Sequence, residues 1–470
     1  MPVKRVDKTP MPQRDPGLRA HDFLEVNEGY DLQRAMFEAE RCLRCQDAVC
    51  VEGCPVRIPI PEFIHAIAAG DIAKAASILR DANPLPAICG RVCPQESQCE
   101  ERCHLSGRFT PAAIGHLERF VADWEREQPA CEAAQRPWRD EKIAVVGSGP
   151  AGLVCAGQLA DMGYSVTVYE ALHAAGGVLR YGIPEFRLPN AVLDWEIEVL
   201  KQRGVEIVTN VIVGKTIALD DLLEKMGFAA IFIGTGAGLP KFLGIPGENL
   251  NGVYSANEFL TRINLMRAYD FPTADTPMKA GKRVAVIGAG NTAMDTVRSA
   301  LRMGAEQGLI VYRRSETEMT ARLEEYHHAI EEGVEFHWLT NPIEVLGNDD
   351  GWVTGLKCQV MELGEPDESG RARPVPVAGS EFVLPVDTVV LSIGTTPNPL
   401  LLSSTTGLET DRWGCLVADE TDGRTTRARI YAGGDVVTGA ATVILAAGAG
   451  KNAAAAIHRD LAAARQTAAG

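Results

Sequence analysis

The spacing of apolar residues divides the chain into two regions of different character. Between residues 20 and 128, apolar positions recur at helical intervals and predict helices separated by cysteine-rich turns; the best repeats are Phe63, Ile64 and Ile67, then Ala75, Ile78 and Leu79. From Lys142 onward, short β-branched strands, glycine-rich turns and helices alternate, which is typical of βαβ units. Residues 127–140 are predicted to form the linker between the two regions.

The βαβ region contains an internal repetition. The stretches KIAVVGSGPAGLVCAGQLADMGYSVTVYE (142–170) and RVAVIGAGNTAMDTVRSALRMGAEQGLIVYRR (283–314) share a strand, a glycine-rich turn, a helix and a second strand. Such long, widely separated copies predict two related dinucleotide-binding domains rather than a solenoid. A third strand, turn and helix at 429–457 predicts that the chain returns to the first domain.

These patterns predict an α/β fold in which a helical domain precedes two Rossmann-like domains. The helical domain is expected to span 1–138. The first Rossmann-like domain is expected to span 139–270 and 391–470, with the second, 271–390, inserted into it.

Composition narrows the function classes. The net charge of −16 gives no electrostatic support to nucleic-acid binding, which relies on clustered Lys and Arg. The N-terminal residues lack the apolar core of a signal peptide, and no uncharged apolar run is long enough for a membrane helix. A cytoplasmic protein is therefore expected.

The first repeat carries a dinucleotide fingerprint. Gly147, Gly149 and Gly152 follow a strand and open a helix, where they allow a tight turn and close approach of a pyrophosphate. Glu170 ends the next strand, where a carboxylate can accept hydrogen bonds from ribose hydroxyls. The sequence therefore predicts a nucleotide with a free ribose at this turn.

The second repeat predicts a different nucleotide. Gly288 and Gly290 are followed by Ala293, which is a permitted third position. Arg313 and Arg314 stand where the first repeat has Glu170, and guanidinium groups bind a 2′-phosphate that a carboxylate would repel. We therefore expect NADP(H) here, and hydride exchange between its nicotinamide and a flavin in the first domain. Gly434 and Asp435, followed by a helix starting near Ala441, favour FAD as that flavin.

Eight of the twelve cysteines lie before residue 104, in two runs. The first run, C-x₂-C-x₄-C-x₃-C-P, is similar to the ferredoxin run whose last cysteine ligates another cluster. This similarity predicts two [4Fe–4S] clusters that divide the four cysteines of the first run and three of the second between them: Cys42, Cys45, Cys50 and Cys103 for cluster 1, and Cys54, Cys93 and Cys99 for cluster 2. Cys89 is the obvious chemical choice for the missing ligand of cluster 2.

Other interpretations of the cysteines fit the sequence less well. Disulfides do not suit a reducing compartment. Zinc sites usually pair two close C-x₂-C units, and only one such spacing occurs. A dithiol relay needs a cysteine pair beside the flavin, where only isolated cysteines occur. A structural cluster without an electron role is the remaining alternative.

Taken together, GSGPAG, Glu170, GTGAG (234–238), GAGNTA, SIGTTPNP (392–399), AGGD and the cysteine runs resemble one family. The chain is similar over residues 20–460 to the small subunits of NADPH-dependent glutamate synthase. That family includes the N-terminal part of dihydropyrimidine dehydrogenase and the large subunit of the bifurcating NADH-dependent ferredoxin:NADP⁺ oxidoreductase. The segment GGVLRYGIPEFRLP resembles the last of these in particular.

The resemblance implies cofactor ligands residue by residue. It places Glu118, in IGHLERF, as the fourth ligand of cluster 2, with Cys89 as the alternative. The residues expected at FAD are Gly147, Gly149, Pro150, Ala151, Gly152, Glu170, Gly177, Gly434, Asp435 and Thr442. The residues expected at NADPH are Gly288, Gly290, Asn291, Thr292, Ala293, Arg313, Arg314 and Gly394.

The implied activity is electron transfer from NADPH through FAD to the two clusters. No side-chain acid or nucleophile is expected to take part, because the cofactors carry the chemistry. His327 and His328 are expected to be solvated on a charged helix. The implied partner is a larger glutamate synthase subunit. The alternative is a small ferredoxin-reductase-like flavoprotein subunit together with ferredoxin, in a bifurcating enzyme.

Overall fold

The computed structural model describes residues 7–129, 138–367 and 370–469. Most of the predicted linker, residues 130–137, lies outside the described residues. Among the described residues, no helix has both the length and the apolar character needed to cross a membrane.

The cysteine-rich helical domain consists of short helices, as the periodicity predicts. Its helices are α1 (Pro16–Arg19), α2 (Leu32–Ala39), α3 (Val49–Glu52), α4 (Ile60–Ala68), α5 (Ile72–Ala82), α6 (Pro86–Val92) and α7 (Ile114–Arg126). Asp71 begins α5 by accepting a hydrogen bond from the Lys74 N–H at 3.0 Å, a stabilising N-cap. The apolar stripes of α4 and α5 face the core, with Phe63 and Leu79 almost fully buried.

The rest of the chain alternates strands and helices. The first part contains β1 (Lys142–Val146), α8 (Pro150–Asp161), β2 (Ser165–Tyr169), α9 (Val178–Tyr181), α10 (Asn190–Gln202), β3 (Val205–Val208), α11 (Leu219–Glu224), β4 (Phe228–Ile233) and β5 (Leu239–Pro240). The second part contains β6 (Val253–Ser255), α12 (Ala256–Asn264), β7 (Arg283–Ile287), α13 (Asn291–Arg302), β8 (Gln307–Val311), α14 (Leu323–Glu331), β9 (Glu335–His337), β10 (Thr340–Gly347), β11 (Val353–Pro366), β12 (Ala372–Leu384) and β13 (Thr388–Leu391). The last part contains β14 (Thr395–Thr396), α15 (Leu400–Ser403), β15 (Ile430–Ala432), α16 (Asp435–Thr438) and α17 (Val443–Ala469).

Two five-stranded parallel sheets confirm the two Rossmann-like units. The first sheet has the order β15-β4-β1-β2-β3, and the second has the order β6-β13-β7-β8-β9. Because β15 pairs with β4 after the second sheet is complete, the second unit is inserted in the first, as predicted. The strand β6 pairs with β13 in the second sheet, although its residues lie within the range 139–270 predicted for the first domain. At three residues, this strand is too short to show a hydrophobic period.

The helical domain and the first sheet share one hydrophobic core. Ile88 and Leu117 of the helical domain belong to the same buried cluster as Leu153, Leu193 and Ile457 of the first Rossmann-like unit. The cysteine-rich domain is therefore packed directly against the first sheet's helices, and α17 lies at that junction.

Buried ion pairs join the helical domain to the second Rossmann-like unit. Glu332 accepts bonds from Arg19 Nε at 3.0 Å, from Arg298 Nη2 at 2.8 Å and from Arg302 Nη1 at 2.7 Å. His328 lies buried beside this cluster, so its predicted solvation is wrong, while His327 is exposed. The helical period of α14 places His328 on the buried face.

Candidate functional site

Each glycine of the first turn is required, or left open, for a different structural reason. Gly147 has a φ of +100°, and a Cβ there would come within 2.5 Å of the Gly234 carbonyl oxygen. A Cβ on Gly152 would lie 1.9 Å from the Gly147 oxygen, so this glycine allows α8 to pack against the turn. A Cβ on Gly149 would meet open space. The second glycine therefore leaves room for a ligand, as expected for a pyrophosphate at the start of α8.

Glu170 lies beside this turn, at the end of β2. Its Oε2 accepts hydrogen bonds from the backbone N–H of Ser148 at 3.0 Å and from the Ser148 hydroxyl at 2.5 Å. Its Oε1 accepts one from the Leu172 N–H at 2.8 Å. The carboxylate is therefore held in one orientation at the edge of the turn. Ser148, which no sequence signal indicated, also accepts a bond from the Gly176 N–H at 2.9 Å.

The remaining residues predicted at FAD come together around the same turn. A Cβ on Gly177 would lie 2.9 Å from the Gly149 Cα, so the loop before α9 lies against the turn. Gly434 lies against α8, since its Cβ would be 3.0 Å from the Ala151 Cβ. Pro150 and Ala151 form the first turn of α8.

Asp435 and Thr442 lie where α16 and α17 begin. The Asp435 Oδ1 accepts a hydrogen bond from the Ala441 N–H at 3.3 Å, and burial raises the pKa of Asp435 to about 6. Thr442 precedes α17 and accepts a 3.4 Å bond from the Leu445 N–H. Tyr181, which sequence reasoning missed, has its pKa raised to about 12 by burial and by the nearby Asp435 and Glu170 carboxylates.

The second glycine turn repeats the first at the end of β7. Gly288 has a φ of +128°, and a Cβ there would lie 2.3 Å from the Ser392 carbonyl oxygen. A Cβ on Gly290 would meet only the Thr320 hydroxyl, at 3.4 Å. Ala293 is fully buried in α13. This turn therefore also leaves its second glycine open toward a ligand.

Neighbouring residues complete the second turn. The Asn291 Oδ1 accepts a hydrogen bond from the Arg322 N–H at 2.9 Å, which ties the start of α13 to α14. Thr292 is exposed. Gly394 has a φ of +95° and open space where its Cβ would be.

The two arginines after β8 differ in their surroundings. Arg313 is exposed, whereas Arg314 is buried. The Arg314 Nη2 pairs with the Asp367 carboxylate at 2.5 Å, and its Nε donates to the Ala372 carbonyl oxygen at 2.8 Å. Arg314 therefore holds the turn between β11 and β12, and Arg313 is the more accessible of the two guanidinium groups.

One set of thiols lies partly open to solvent. Cys42, Cys45, Cys50 and Cys103 are all half-buried and form no disulfide. Burial, together with the neighbouring thiols of Cys103, Cys42 and Cys45, raises the pKa of Cys50 to about 12. These four side chains, which are the ligands predicted for cluster 1, are therefore electrostatic neighbours.

A second set of thiols is buried. Cys54, Cys93 and Cys99 are less than a tenth exposed. Burial, together with the nearby Glu118 carboxylate and Cys89 thiol, raises the pKa of Cys54 to about 11. A hydrogen bond with Cys89 and burial raise the pKa of Cys93, and burial raises that of Cys99; the Glu118 carboxylate adds to both increases. The buried set therefore includes both predicted candidates for the fourth ligand.

Glu118 and Cys89 differ in their bonding. The Glu118 Oε1 accepts a hydrogen bond from the Asn83 side chain at 3.2 Å, and burial raises its pKa to about 8. Cys89 is fully buried in α6, and a hydrogen bond with Cys89 is the main cause of the raised pKa of Cys93. Asn83 is a further residue that the sequence did not indicate.

Within the described ranges, no three His, Cys, Asp or Glu side chains are arranged to hold a single metal ion. Soft thiolate donors suit iron–sulfur clusters, so the two sets of neighbouring thiols have a donor chemistry that fits such clusters.

Family models match both parts of the chain. One described as "Dihydropyrimidine dehydrogenase domain II, 4Fe-4S cluster" matches residues 19–130. Another, described as "Pyridine nucleotide-disulphide oxidoreductase", matches residues 110–227 and 141–456. The matches agree with the division into a cysteine-rich domain and two Rossmann-like units.

Similar proteins support the same conclusion. The small chain of the NADPH glutamate synthase of Halomonas elongata is 38% identical over 461 residues, which cover 96% of this chain and 95% of that one. The β subunit of the NADP⁺-dependent formate dehydrogenase of Moorella thermoacetica is 40% identical over 438 residues, which cover 88% of this chain and 60% of that one. FprA of Mycobacterium tuberculosis, solved in complex with NADPH, has a TM-score of 0.58 at 22% identity over 70% of this chain and 86% of its own, and thus shares the fold.

The fold and the matched domains define an oxidoreductase that combines an iron–sulfur domain with a pyridine-nucleotide oxidoreductase unit. Its resemblance to known small chains extends over nearly the whole length of both proteins. The chain belongs to the family of the glutamate synthase small chains.

Proposed function

We propose that this chain transfers electrons from NADPH through one FAD to two [4Fe–4S] clusters and delivers them to a larger glutamate synthase subunit. The observation that carries the proposal is the order of the sites. One open glycine turn lies in each Rossmann-like unit, the buried thiols lie against the first unit, and the half-buried thiols lie nearer the surface. NADPH gives up two electrons as a hydride, whereas each cluster accepts one electron at a time. FAD, when bound, would supply the chemistry that connects the two.

The first turn suits FAD. In the proposed complex, the N–H groups at the start of α8 bind the pyrophosphate, and Glu170 accepts bonds from the adenosine ribose. Gly177 closes over the turn, while Asp435 and Thr442 orient the cofactor at the start of α16 and α17. The open space at Gly149 and the fixed Glu170 carboxylate support this assignment.

The second turn suits NADPH. Gly288, Gly290 and Ala293 admit the pyrophosphate, with Asn291, Thr292 and Gly394 around it. Arg313 binds the 2′-phosphate, and Arg314 holds the neighbouring turn that shapes this edge of the site. The exposure of Arg313 and the Asp367 pair of Arg314 support this division of roles.

The two thiol sets suit two clusters. Cys42, Cys45, Cys50 and Cys103 would hold cluster 1, and Cys54, Cys93, Cys99 and Glu118 would hold cluster 2. Thiolate is the preferred ligand of iron–sulfur clusters. Glu118 is proposed over Cys89 because the family resemblance of the stretch IGHLERF implies a ligand at this position, and its buried side chain lies beside the three thiols.

The positions of the sets support an order of transfer. The buried set adjoins α17, because a Cβ on Gly448 would lie 3.1 Å from the carbonyl oxygen of Pro55, next to Cys54. The half-buried set is the one that a partner protein can approach. Electrons would therefore reach cluster 2 first and leave the chain from cluster 1.

The proposed partner is the larger subunit of glutamate synthase, and the proposed location is the cytoplasm. The extent of the match to the Halomonas small chain supports this partner. The eleven described cysteines form no disulfide, which is consistent with a reducing compartment.

Co-purification tests the partner. The chain is co-expressed with a large glutamate synthase subunit and, separately, with a small ferredoxin-reductase-like flavoprotein subunit. We expect a stable complex with the large subunit, in which NADPH supports glutamate formation from glutamine and 2-oxoglutarate. Binding to the flavoprotein subunit alone, with NADPH-dependent reduction of ferredoxin, would favour the bifurcating enzyme and overturn the proposed partner.

A further inference from the structure

A lysine of the first Rossmann-like unit reaches into the cysteine-rich domain. Lys451 lies on α17, whose Gly450 packs so closely on α8 that a Cβ would come within 2.2 Å of the Ala151 carbonyl oxygen. The Lys451 Nζ donates to the Val56 carbonyl oxygen at 2.8 Å and to the Ala82 carbonyl oxygen at 2.7 Å. One ammonium group therefore bridges two segments of the neighbouring domain.

Both segments carry groups of the buried set. Val56 lies two residues after Cys54, and Gly448, one turn before Lys451, packs against the same segment. Ala82 directly precedes Asn83, whose side chain donates to Glu118 at 3.2 Å. The bonds of Lys451 thus fix the backbone on two sides of the proposed cluster 2.

The charge of Lys451 is not cancelled by an ion pair. Both of its hydrogen-bond acceptors are neutral carbonyl groups, and no carboxylate pairs with it among residues 7–129, 138–367 and 370–469. The Cys54 thiolate opposes the effect of burial, which lowers the pKa of Lys451. The thiolate that acts on this lysine therefore belongs to a proposed cluster ligand.

We propose that Lys451 positions cluster 2 against α17 and raises the reduction potential of that cluster. The inference rests on the proposed function, in which Cys54 and Glu118 are ligands. Reduction adds one electron, converting [4Fe–4S]²⁺ to [4Fe–4S]⁺, and NADPH supplies it through FAD. A nearby positive charge stabilises the form with the additional negative charge, and groups around the ligands tune cluster potentials.

The test separates the effect of the positive charge of Lys451 from the effect of changing its side chain. Lys451→Met removes the charge and both hydrogen bonds at similar volume, and Lys451→Arg keeps the charge. Lys225→Met removes an exposed lysine of the same Rossmann-like unit and controls for net charge. Each holoprotein is purified without oxygen, its iron and flavin are counted, and its clusters are titrated with dithionite under EPR observation at defined potentials.

We expect cluster 2 to become harder to reduce in Lys451→Met. At its wild-type midpoint, the ratio of reduced to oxidised cluster should fall about tenfold, or about 59 mV for one electron. Cluster 1 should keep its potential, Lys451→Arg should stay near wild type, and Lys225→Met should change neither cluster.

Two results overturn the inference. One is an unchanged cluster 2 potential in Lys451→Met with iron intact. The other is iron loss in both Lys451→Met and Lys451→Arg. If the positive charge positions the cluster, the Lys451→Arg variant should still hold its iron. Iron loss in Lys451→Met alone supports positioning. Wild-type protein without iron or flavin would instead contradict the proposed function, so the two failures are distinguishable.

Discussion

The guanidinium group of Arg314 is bound to the Asp367 carboxylate, with 2.5 Å between Nη2 and Oδ2. Its neighbour Arg313 is exposed. The ion pair between Arg314 and Asp367 connects the end of β8 to the end of β11, in the three-stranded β10-β11-β12 sheet. Two adjacent arginines that look equivalent in the sequence therefore have different surroundings, and their removal should have different consequences.

Replacing Arg313 should weaken the binding of NADPH but not that of NADH. Because a charge-assisted bond contributes about 1.5–3 kcal/mol, Arg313→Ala should raise the KM for NADPH by about 10- to 100-fold. The KM for NADH should change little, since NADH has no 2′-phosphate. Steady-state reduction of an artificial dye by each nucleotide measures both values.

Arg314→Ala should act on both nucleotides together. Loss of the Asp367 pair loosens the turn beside the site, so the KM values for NADPH and NADH should rise by similar factors. Arg262→Ala, which removes an exposed arginine of α12, is the control and should change neither. Equal loss of NADPH and NADH in Arg313→Ala would contradict the 2′-phosphate assignment.

Removal of Glu118 should affect one cluster only. Glu118→Ala should remove or convert cluster 2 and change its EPR spectrum, while cluster 1 keeps its signal. Cys89→Ala is the matched variant, because both side chains lie beside the buried thiols, and it should leave both spectra intact. The reverse pattern would make Cys89 the ligand.

Glu170 should control flavin retention. Glu170→Ala leaves the Ser148 and Leu172 N–H groups without their acceptor and removes the proposed ribose contact, so the FAD affinity should fall at least about tenfold. Flavin fluorescence after dialysis measures the bound fraction. Glu206→Ala, on the neighbouring strand β3, should retain FAD; retention by Glu170→Ala as well would rule out this site.

His328 should make stability depend on pH. Burial lowers its pKa to about 4 from the usual 6.5, an effect that Arg298 reinforces and Glu325 opposes. The unfolded chain therefore takes up a proton below pH 6.5 that the folded chain resists. Lowering the pH from 7 to 5 should therefore lower the free energy of unfolding by about 2 kcal/mol through His328 alone.

Thermal unfolding at both pH values measures this effect. His328→Gln should lose less stability on acidification than the wild-type protein, whatever its stability at pH 7. His327→Gln should behave as wild type because His327 is exposed. An unchanged acid sensitivity in His328→Gln would show that other groups cause it.

The sequence was sufficient for the two parallel sheets and the inserted second unit. Gly147, Gly152 and Gly288 could be predicted because their pattern is local in the sequence. The turn between a strand and the following helix brings backbone segments close together, and only glycine fits at these spacings. The assignment of the thiols to two clusters stays a prediction, which rests on the ferredoxin-like interval of the first run.

Long-range pairs could not be predicted in this way. Arg19 and Glu332 are separated by 313 residues, and no periodicity links them. The same holds for Lys451, which in the sequence merely interrupts an alanine-rich tail. His328 was misjudged because charged neighbours on a helix suggest solvent, whereas here those charges are buried in ion pairs with another domain.

Iron, acid-labile sulfide and flavin, counted together on the anaerobically purified chain, test the central claim most directly. Two [4Fe–4S] clusters and one FAD predict about eight irons and about eight sulfides per chain, with one flavin. Zinc in place of iron, or a chain that binds iron without flavin, would contradict the account.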